Sequence, residues 1–315
     1  MYSINKKKLN LKTIQDFINS ININNNCPFL INTELKNKKR IIAIGDLHGD
    51  FDALLIALSK AKVINKFGKW IGKDTIVVQV GDILDAKRKF ELGNGTEEIN
   101  IINYLTDLHK QAFEKNGGVY LILGNHEIMN VQGDFRYVTK NALNKFSFNN
   151  NNRRNLFKPG GKLAKFLACN FQAILKIDEW IFVHGGILKE HLENFTLNKI
   201  NNIIRNILLG NKNIKLLKKN QYDLLLGGKS IFWTRALADD NVICNNVYNT
   251  LKILKANKGG IVIGHTPSNH IISKCKKKIW RIDTHMSQAY GKKRFLDDRI
   301  EILEINPKNN KTKIL

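Results

Sequence analysis

The sequence predicts an α/β fold organised as one main domain. Three observations carry that expectation. Short apolar runs of strand length recur along the chain, segments with apolar residues at helical spacing lie between them, and several runs end in Gly beside a residue able to bind metal. This is the arrangement in which sites form beyond the carboxyl ends of strands.

Residues 1–38 are polar and basic, with turn residues at Asn24–Pro28. They read as an N-terminal extension carrying at most one helix, around 11–19. Arg40–Ile44 is an apolar run ending in Gly45-Asp46 and reads as a strand. A helix follows, with Asp50 as its N-cap and Phe51, Leu54, Leu55 and Leu58 on one face. Asp74–Val80 is a β-rich run ending in Gly81-Asp82. Ile99, Ile102, Leu105, Leu108 and Ala112 mark a second helical face. Val119–Leu123 ends in Gly124-Asn125, and Trp180–Val183 ends in His184-Gly185-Gly186. The Asn-rich stretch 149–155 reads as loop, and the basic stretch 189–222 as a loop or helical insertion. Short strands are expected at Ile261–Ile263, Ile279–Ile282 and Arg299–Ile305, with the main domain spanning 39–307 and a polar tail at 308–315.

Composition narrows the class. At 315 residues and 43% apolar content the chain can build a large core, which excludes a wholly disordered protein. Cys27, Cys169, Cys244 and Cys275 are far apart and form no CxxC pair, so they read as reduced, intracellular thiols. No run of about 18 apolar residues exists to span a membrane, and the N-terminus lacks a signal-peptide apolar core. The expected location is therefore intracellular and soluble, in the cytoplasm. The formal net charge is +24. Asn, Lys and Ile are all over-used, residues with AT-rich codons, and the Lys residues are scattered, so a nucleic-acid partner is the less favoured reading.

Five strand ends carry Asp46-Leu47-His48, Asp82, Asn125-His126-Glu127, His184 and His265. Carboxylates, an amide and imidazoles without thiolate suit Mn, Fe or Zn better than Ca. A two-metal site needs one bridging ligand, and the carboxylate of Asp82 is the natural candidate.

The motifs GDLHGD (45–50), GDILD (81–85), GNHE (124–127), HGG (184–186) and GH (264–265) resemble the calcineurin-like metallophosphoesterases, in the phosphoprotein phosphatase branch. FWTR (232–235), VIGHTP (262–267) and RIDTHMSQAYG (281–291) resemble the Shewanella-like protein phosphatases. The resemblance implies a calcineurin-like metallophosphatase fold, a two-sheet β-sandwich flanked by α-helices. It implies two divalent metal ions, Mn2+ first, with Fe or Zn as alternatives. Asp46, His48 and Asp82 would hold one, and Asp82, Asn125, His184 and His265 the other. His126 would be the general acid, oriented by Asp85, while a water of lowered pKa attacks phosphorus in line.

The substrate class implied is a phosphoprotein, on Ser/Thr or Tyr. Two alternatives stay open: a diadenosine-tetraphosphatase-like or nucleic-acid phosphoesterase, which the charge favours, and a metal-binding pseudophosphatase with weakened turnover. The latter arises because Ala86 stands where the family carries the phosphate-gripping Arg of GDxxD-Arg-Gly. Arg235 is the first substitute, then Arg136, with Lys87 and Arg88 nearest in sequence. His285 stands where the relatives usually carry Gly, either shaping the pocket or facing solvent.

Overall fold

The computed structural model describes residues 4, 6, 9, 11–24, 26–28, 31–87, 97–145, 152–290 and 299–315. Among the described residues, twelve strands form two six-stranded sheets. In chain order they are β1 (Glu34–Leu35), β2 (Ile41–Ile44), β3 (Ile76–Gln79), β4 (Gly118–Ile122), β5 (Phe171–Gln172), β6 (Ile174–Ile177), β7 (Trp180–Val183), β8 (Gly260–Ile263), β9 (Ile272–Lys274), β10 (Ile279–Arg281), β11 (Leu303–Asn306) and β12 (Lys311–Ile314). One sheet has the order β12-β11-β2-β3-β4-β5, the other β1-β6-β7-β8-β10-β9. Strands β2, β3 and β4 run parallel, as do β7, β8 and β10.

Alternation along each strand builds two apolar layers. Ile41, Ala43, Ile76 and Val78 face a core shared with Phe182, Val262, Trp280 and Ile282 of the other sheet. Ile42, Ile44 and Val77 point the opposite way, into a cluster with Phe51, Leu54, Leu105 and Leu108 of the helices. Strands covered on both faces read as continuous apolar runs, which is why β2 and β3 stand out in the sequence. Helices Phe51–Lys60 and Glu98–Phe113 lie where the apolar spacing puts them. Asp50 caps the first, its side chain accepting from Ala53 N at 3.0 Å.

Four expectations need correction or detail. Lys311–Ile314, expected within a polar tail, pairs antiparallel with β11 as an edge strand. Part of the Asn-rich stretch is a short helix, Arg153–Phe157, with Arg153 buried. The basic stretch contains helices Lys189–Leu192, Leu197–Leu208 and Lys219–Leu225, and Ile200, Ile204 and Ile207 bury the face of the middle one. The cysteines are paired, not free: Cys27 with Cys169, and Cys244 with Cys275, each at a Cα–Cα distance of 5.2 Å. Separation in sequence misled the reading, because the chain folds back across a separation of 142 positions to bring Cys27 beside the helix Lys162–Asn170.

Among the described residues no helix is long and apolar enough to cross a membrane. The disulfides give a direct check. Denatured without reductant, the protein should show no titratable thiol. Reduction should lower the unfolding free energy by roughly 2–4 kcal/mol per bridge. Four reactive thiols in the unreduced, denatured chain would contradict the pairing.

Candidate metal centre

The carboxyl ends of both sets of parallel strands meet at one edge of the sandwich. Asp46 follows β2, Asp82 follows β3 and Asn125 follows β4, all from one sheet; His184 follows β7 and His265 follows β8, from the other. The seam between the sheets is tight. The amide of His265 donates to Asp46 Oδ2 at 3.0 Å, and the His184 ring reaches across to the Val80 carbonyl at 2.9 Å. His48, Asp82 and His265 have left-handed backbones, with φ of 44°, 56° and 63°. Asp85, at 65°, shares this conformation. Non-glycine residues adopt it at a cost, and such strain concentrates at functional sites. The strand-end turns thus spend backbone energy to aim these side chains inward.

Each imidazole is oriented by a backbone carbonyl. His48 Nδ1 lies 3.0 Å from Leu84 O, His184 Nδ1 2.9 Å from Val80 O, and His265 Nε2 3.1 Å from Trp233 O. A carbonyl only accepts, so these contacts assign a proton to those nitrogens and leave the opposite nitrogen a lone pair. Those lone pairs converge. His184 Nε2 and His265 Nδ1 each lie 2.8 Å from Asn125 Oδ1. Asp82 Oδ2 is 3.3 Å from His184 Nε2 and 3.9 Å from both His48 Nε2 and His126 Nε2. Among the described residues two candidate metal-holding groups result, His48–Asp82–His126 and Asp82–His184–His265, with ligand atoms in each within 4.8 Å of one another. Asp82 is common to both. His126 differs from the other three in its partner: its Nδ1 meets the Asp85 carboxylate at 2.9 Å.

The residues fit a pair of cations. Asp46 Oδ1 is buried with no hydrogen-bond partner, although a bare buried carboxylate oxygen is costly. A Cβ on Gly264 would collide with Asp46 Oδ1, and one on Gly124 with Asp82 Oδ1, so glycine keeps these oxygens clear at both positions. Asp46, Asp82, Glu127 and Asp283 crowd negative charge into the interior. Burial first, then the charges of Asp283 and Asp82, push the Asp46 carboxyl well above its usual range. Burial opposes ionisation of Asp82 too, but His184, His126 and His48 outweigh it and hold Asp82 well below the usual value. Burial drives His265 down to about 3, helped by the charges of His184 and Arg235, which keeps its imidazole neutral as a ligand must be. Asp82 raises His184 against the effect of its burial.

Of the residues singled out in the sequence, Asp46, His48, Asp82, Asp85, Asn125, His126, His184 and His265 all come together. Arg235 stands at the exposed rim, its Nε 3.4 Å from His265 Nε2. Arg136 is also exposed, with its guanidinium on Asp134 at 2.7–3.1 Å. Ala86 is buried, Lys87 is exposed and donates its amide to Tyr137 O at 2.9 Å, and Arg88 lies outside the described residues. His285 is half-buried with φ of 53°, a left-handed conformation that favours glycine. Its ring packs on Tyr290 at 4.5 Å, and Tyr290 in turn lies 5.7 Å from the ring of His48.

Several residues beneath the site were missed. Glu127 accepts from the amides of Asp82, Ile83, Leu84 and Gly124 at 2.7–3.0 Å. Burial and the Asp82 charge nevertheless push Glu127 up to about 7. Gln79, inside β3, donates to the carbonyls of Gly45 and Gly81 at 3.2 and 2.6 Å. Arg153, Glu98 and Asn130 surround Asp85. Glu127 had a signal, since it completes GNHE; Arg153 had none.

Residues 39–279 match the family model of calcineurin-like phosphoesterases. The chain is 30% identical to Shewanella-like protein phosphatase 2 of Arabidopsis thaliana, over 88% of this chain and 77% of that one. It is 32% identical to Shewanella-like protein phosphatase 1 of Plasmodium berghei, over 80% and 68% respectively. In structure it resembles the cold-active protein-tyrosine phosphatase of a psychrophilic Shewanella, with a TM-score of 0.76 over 91% of this chain and 83% of that one, at 24% identity. Motifs, sheet order and the converging strand ends agree with these matches: the chain belongs to the calcineurin-like phosphoesterase family, within its Shewanella-like protein phosphatase group.

Proposed function

We propose that this chain is a two-metal phosphoprotein phosphatase in which Asp82 is the ligand shared by both cations. The observation that carries the reading is the position of Asp82 Oδ2 between the imidazoles of His48 and His184, 3.9 and 3.3 Å away. Asp46 and His48 complete one ligand set; Asn125, His184 and His265 complete the other. Two divalent cations supply Lewis acidity toward a phosphoryl oxygen and lower the pKa of water. A carboxylate, amide and imidazole set without thiolate fits Mn2+, with Fe or Zn as alternatives.

The protein's own groups do the rest. His126 is the proton donor to the leaving oxygen. Its Nε2 faces Asp82 and its Nδ1 is fixed on the Asp85 carboxylate, which orients the ring for proton transfer. Asn125 contributes an uncharged oxygen, so it adds no repulsion against an anionic substrate. Arg235, at the rim beside His265, binds the phosphate in place of the Arg lost at Ala86. Arg136 is the second candidate; its pairing with Asp134 argues for the order.

An aryl phosphate, as in phosphotyrosine, is the favoured substrate. Tyr137, Tyr290 and Trp233 are partly exposed and pack edge-on against His126, His48 and His265 at 5.1, 5.7 and 5.8 Å. That collar offers apolar faces to a substrate ring. A structural neighbour that carries the name of a tyrosine phosphatase supports the same choice.

Four experiments test this reading. Metal analysis of the Mn2+-loaded protein should give two ions per chain, and Asp82→Asn should lose both together with turnover. On a panel of phosphotyrosine and phosphoserine peptides and a dinucleoside polyphosphate, the phosphotyrosine peptide should be cleaved fastest. Wild-type metal content and rate in Asp82→Asn would end the shared-ligand assignment. His126→Asn should keep both ions but slow phenyl phosphate hydrolysis roughly 10²–10⁴-fold, with a smaller loss on p-nitrophenyl phosphate. Loss of an ion would instead make His126 a ligand. Arg235→Lys should weaken inhibition by inorganic phosphate by roughly 10- to 150-fold, since a point charge does not replace a planar fork. Unchanged inhibition would move the role to Arg136 or to Lys87 and Arg88.

A further inference from the structure

The carboxylate behind His126 has its own support. Asp85 divides its oxygens: Oδ2 meets His126 Nδ1 at 2.9 Å, while Oδ1 accepts from Asn130 Nδ2 at 2.8 Å and lies 3.3 Å from Arg153 Nη2. The guanidinium of Arg153 is fully buried and reaches three partners with three nitrogens. Besides Asp85, Nη1 holds Glu98 Oε2 at 2.8 Å and Nε holds Asn130 Oδ1 at 2.6 Å. Glu98 in turn accepts from the Asp85 amide at 2.7 Å, and Asn130 also donates to the His126 carbonyl at 2.8 Å. Arg153 thus clamps side chain and backbone of Asp85, directly and through two intermediaries.

We propose that Arg153 is a positioning residue for the hydrolysis, the buried cation that fixes Asp85 so that Asp85 can aim His126. This rests on the reading of His126 as the proton donor. Two observations argue for more than charge burial. Asp85 has a left-handed backbone, φ 65°, which it holds only because its neighbours over-determine it. Its two oxygens also face opposite duties, so rotating the carboxyl would break both the His126 contact and the Arg153–Asn130 contacts. Without Arg153, the carboxylates of Asp85 and Glu98 would be left together in the interior with like charge. The carboxyl of Asp85 would then be free to turn, and His126 would lose its orientation. Lysine cannot substitute, because one ammonium cannot meet three partners in the plane of the guanidinium.

The test uses the Mn2+-loaded full chain. Two variants are compared: Arg153→Lys, and Arg153→Met combined with Glu98→Gln, which removes a buried cation and a buried anion together. Thermal unfolding and metal content are measured alongside kcat and KM for phenyl phosphate and p-nitrophenyl phosphate. The expected result is two ions bound and a fall in kcat on phenyl phosphate of roughly 10- to 100-fold, the usual scale of lost orientation. The loss on p-nitrophenyl phosphate should be smaller, and KM little changed. In a His126→Asn background the same changes should add less than about threefold, because both act through one group. Equal losses on the two substrates, or full multiplication with His126→Asn, would overturn the proposal. If Arg153→Lys does not fold, the charge-matched double variant decides. Should His126→Asn itself slow both substrates alike, the proton-donor reading fails, and the role of Arg153 falls with it.

Discussion

One buried carboxylate, that of Glu127, fixes the geometry of the centre. Its two oxygens take four backbone amides, three from the turn after β3 and one from the turn after β4. Each such buried bond would be costly to break, because it would leave a polar group without a partner. The turn so held then serves as a template for the next. The Asp82 carbonyl accepts from Leu47 and His48 at 3.0 and 2.9 Å, and the Ile83 carbonyl from Gly49 at 2.7 Å. The loop after β2 therefore hangs on the loop after β3, which hangs on Glu127. The left-handed backbones of His48 and Asp82 are tolerated because this ladder leaves them no alternative.

The framework was legible in the sequence because its physics is local. Strands buried on both faces give continuous apolar runs, helices give their spacing, and a turn that must bring a polar side chain close to another backbone demands Gly beside it. Asp46, Asp82, Asn125 and His265 could be found that way. What could not be found depends on contacts between distant segments. Arg153 sits in a polar, Asn-rich stretch where a buried cation looks like any surface one. Glu98 reads as the first turn of a helix, where an acidic residue is ordinary. The cysteines pair through the fold and not through spacing. The strand at Lys311–Ile314 lies at a sheet edge with exposed lysines, a composition that protects an edge and also disguises it.

Floor and rim differ in kind. The floor is buried and cross-linked: Glu127, Gln79, Asp85, Glu98, Asn130 and Arg153 are each tied to at least two neighbours. The rim, with Arg235, Tyr137, Trp233 and Tyr290, is open to solvent and held by ring contacts. The phosphate-gripping Arg implied by the sequence resemblance would arise from the wall at position 86, where this chain has a buried Ala. Phosphate recognition in the proposed reading thereby shifts from the wall to the rim, onto a side chain with more freedom and less support.

The seam between the sheets carries a thermodynamic consequence. Asp46, His48, Asp82 and Asn125 come from one sheet and His184 and His265 from the other, so whatever they hold is gripped by both halves of the sandwich. Occupancy and folding are then linked equilibria: the unfolded chain has no such pocket, and each tenfold rise in free ligand above its Kd adds about 1.4 kcal/mol to the folded state. At a hundredfold excess the gain is about 2.7 kcal/mol, a sizeable share of the margin by which a domain stays folded. The centre is thereby also a rivet, and the supply of its ions would set how long the protein lasts as well as how fast it works.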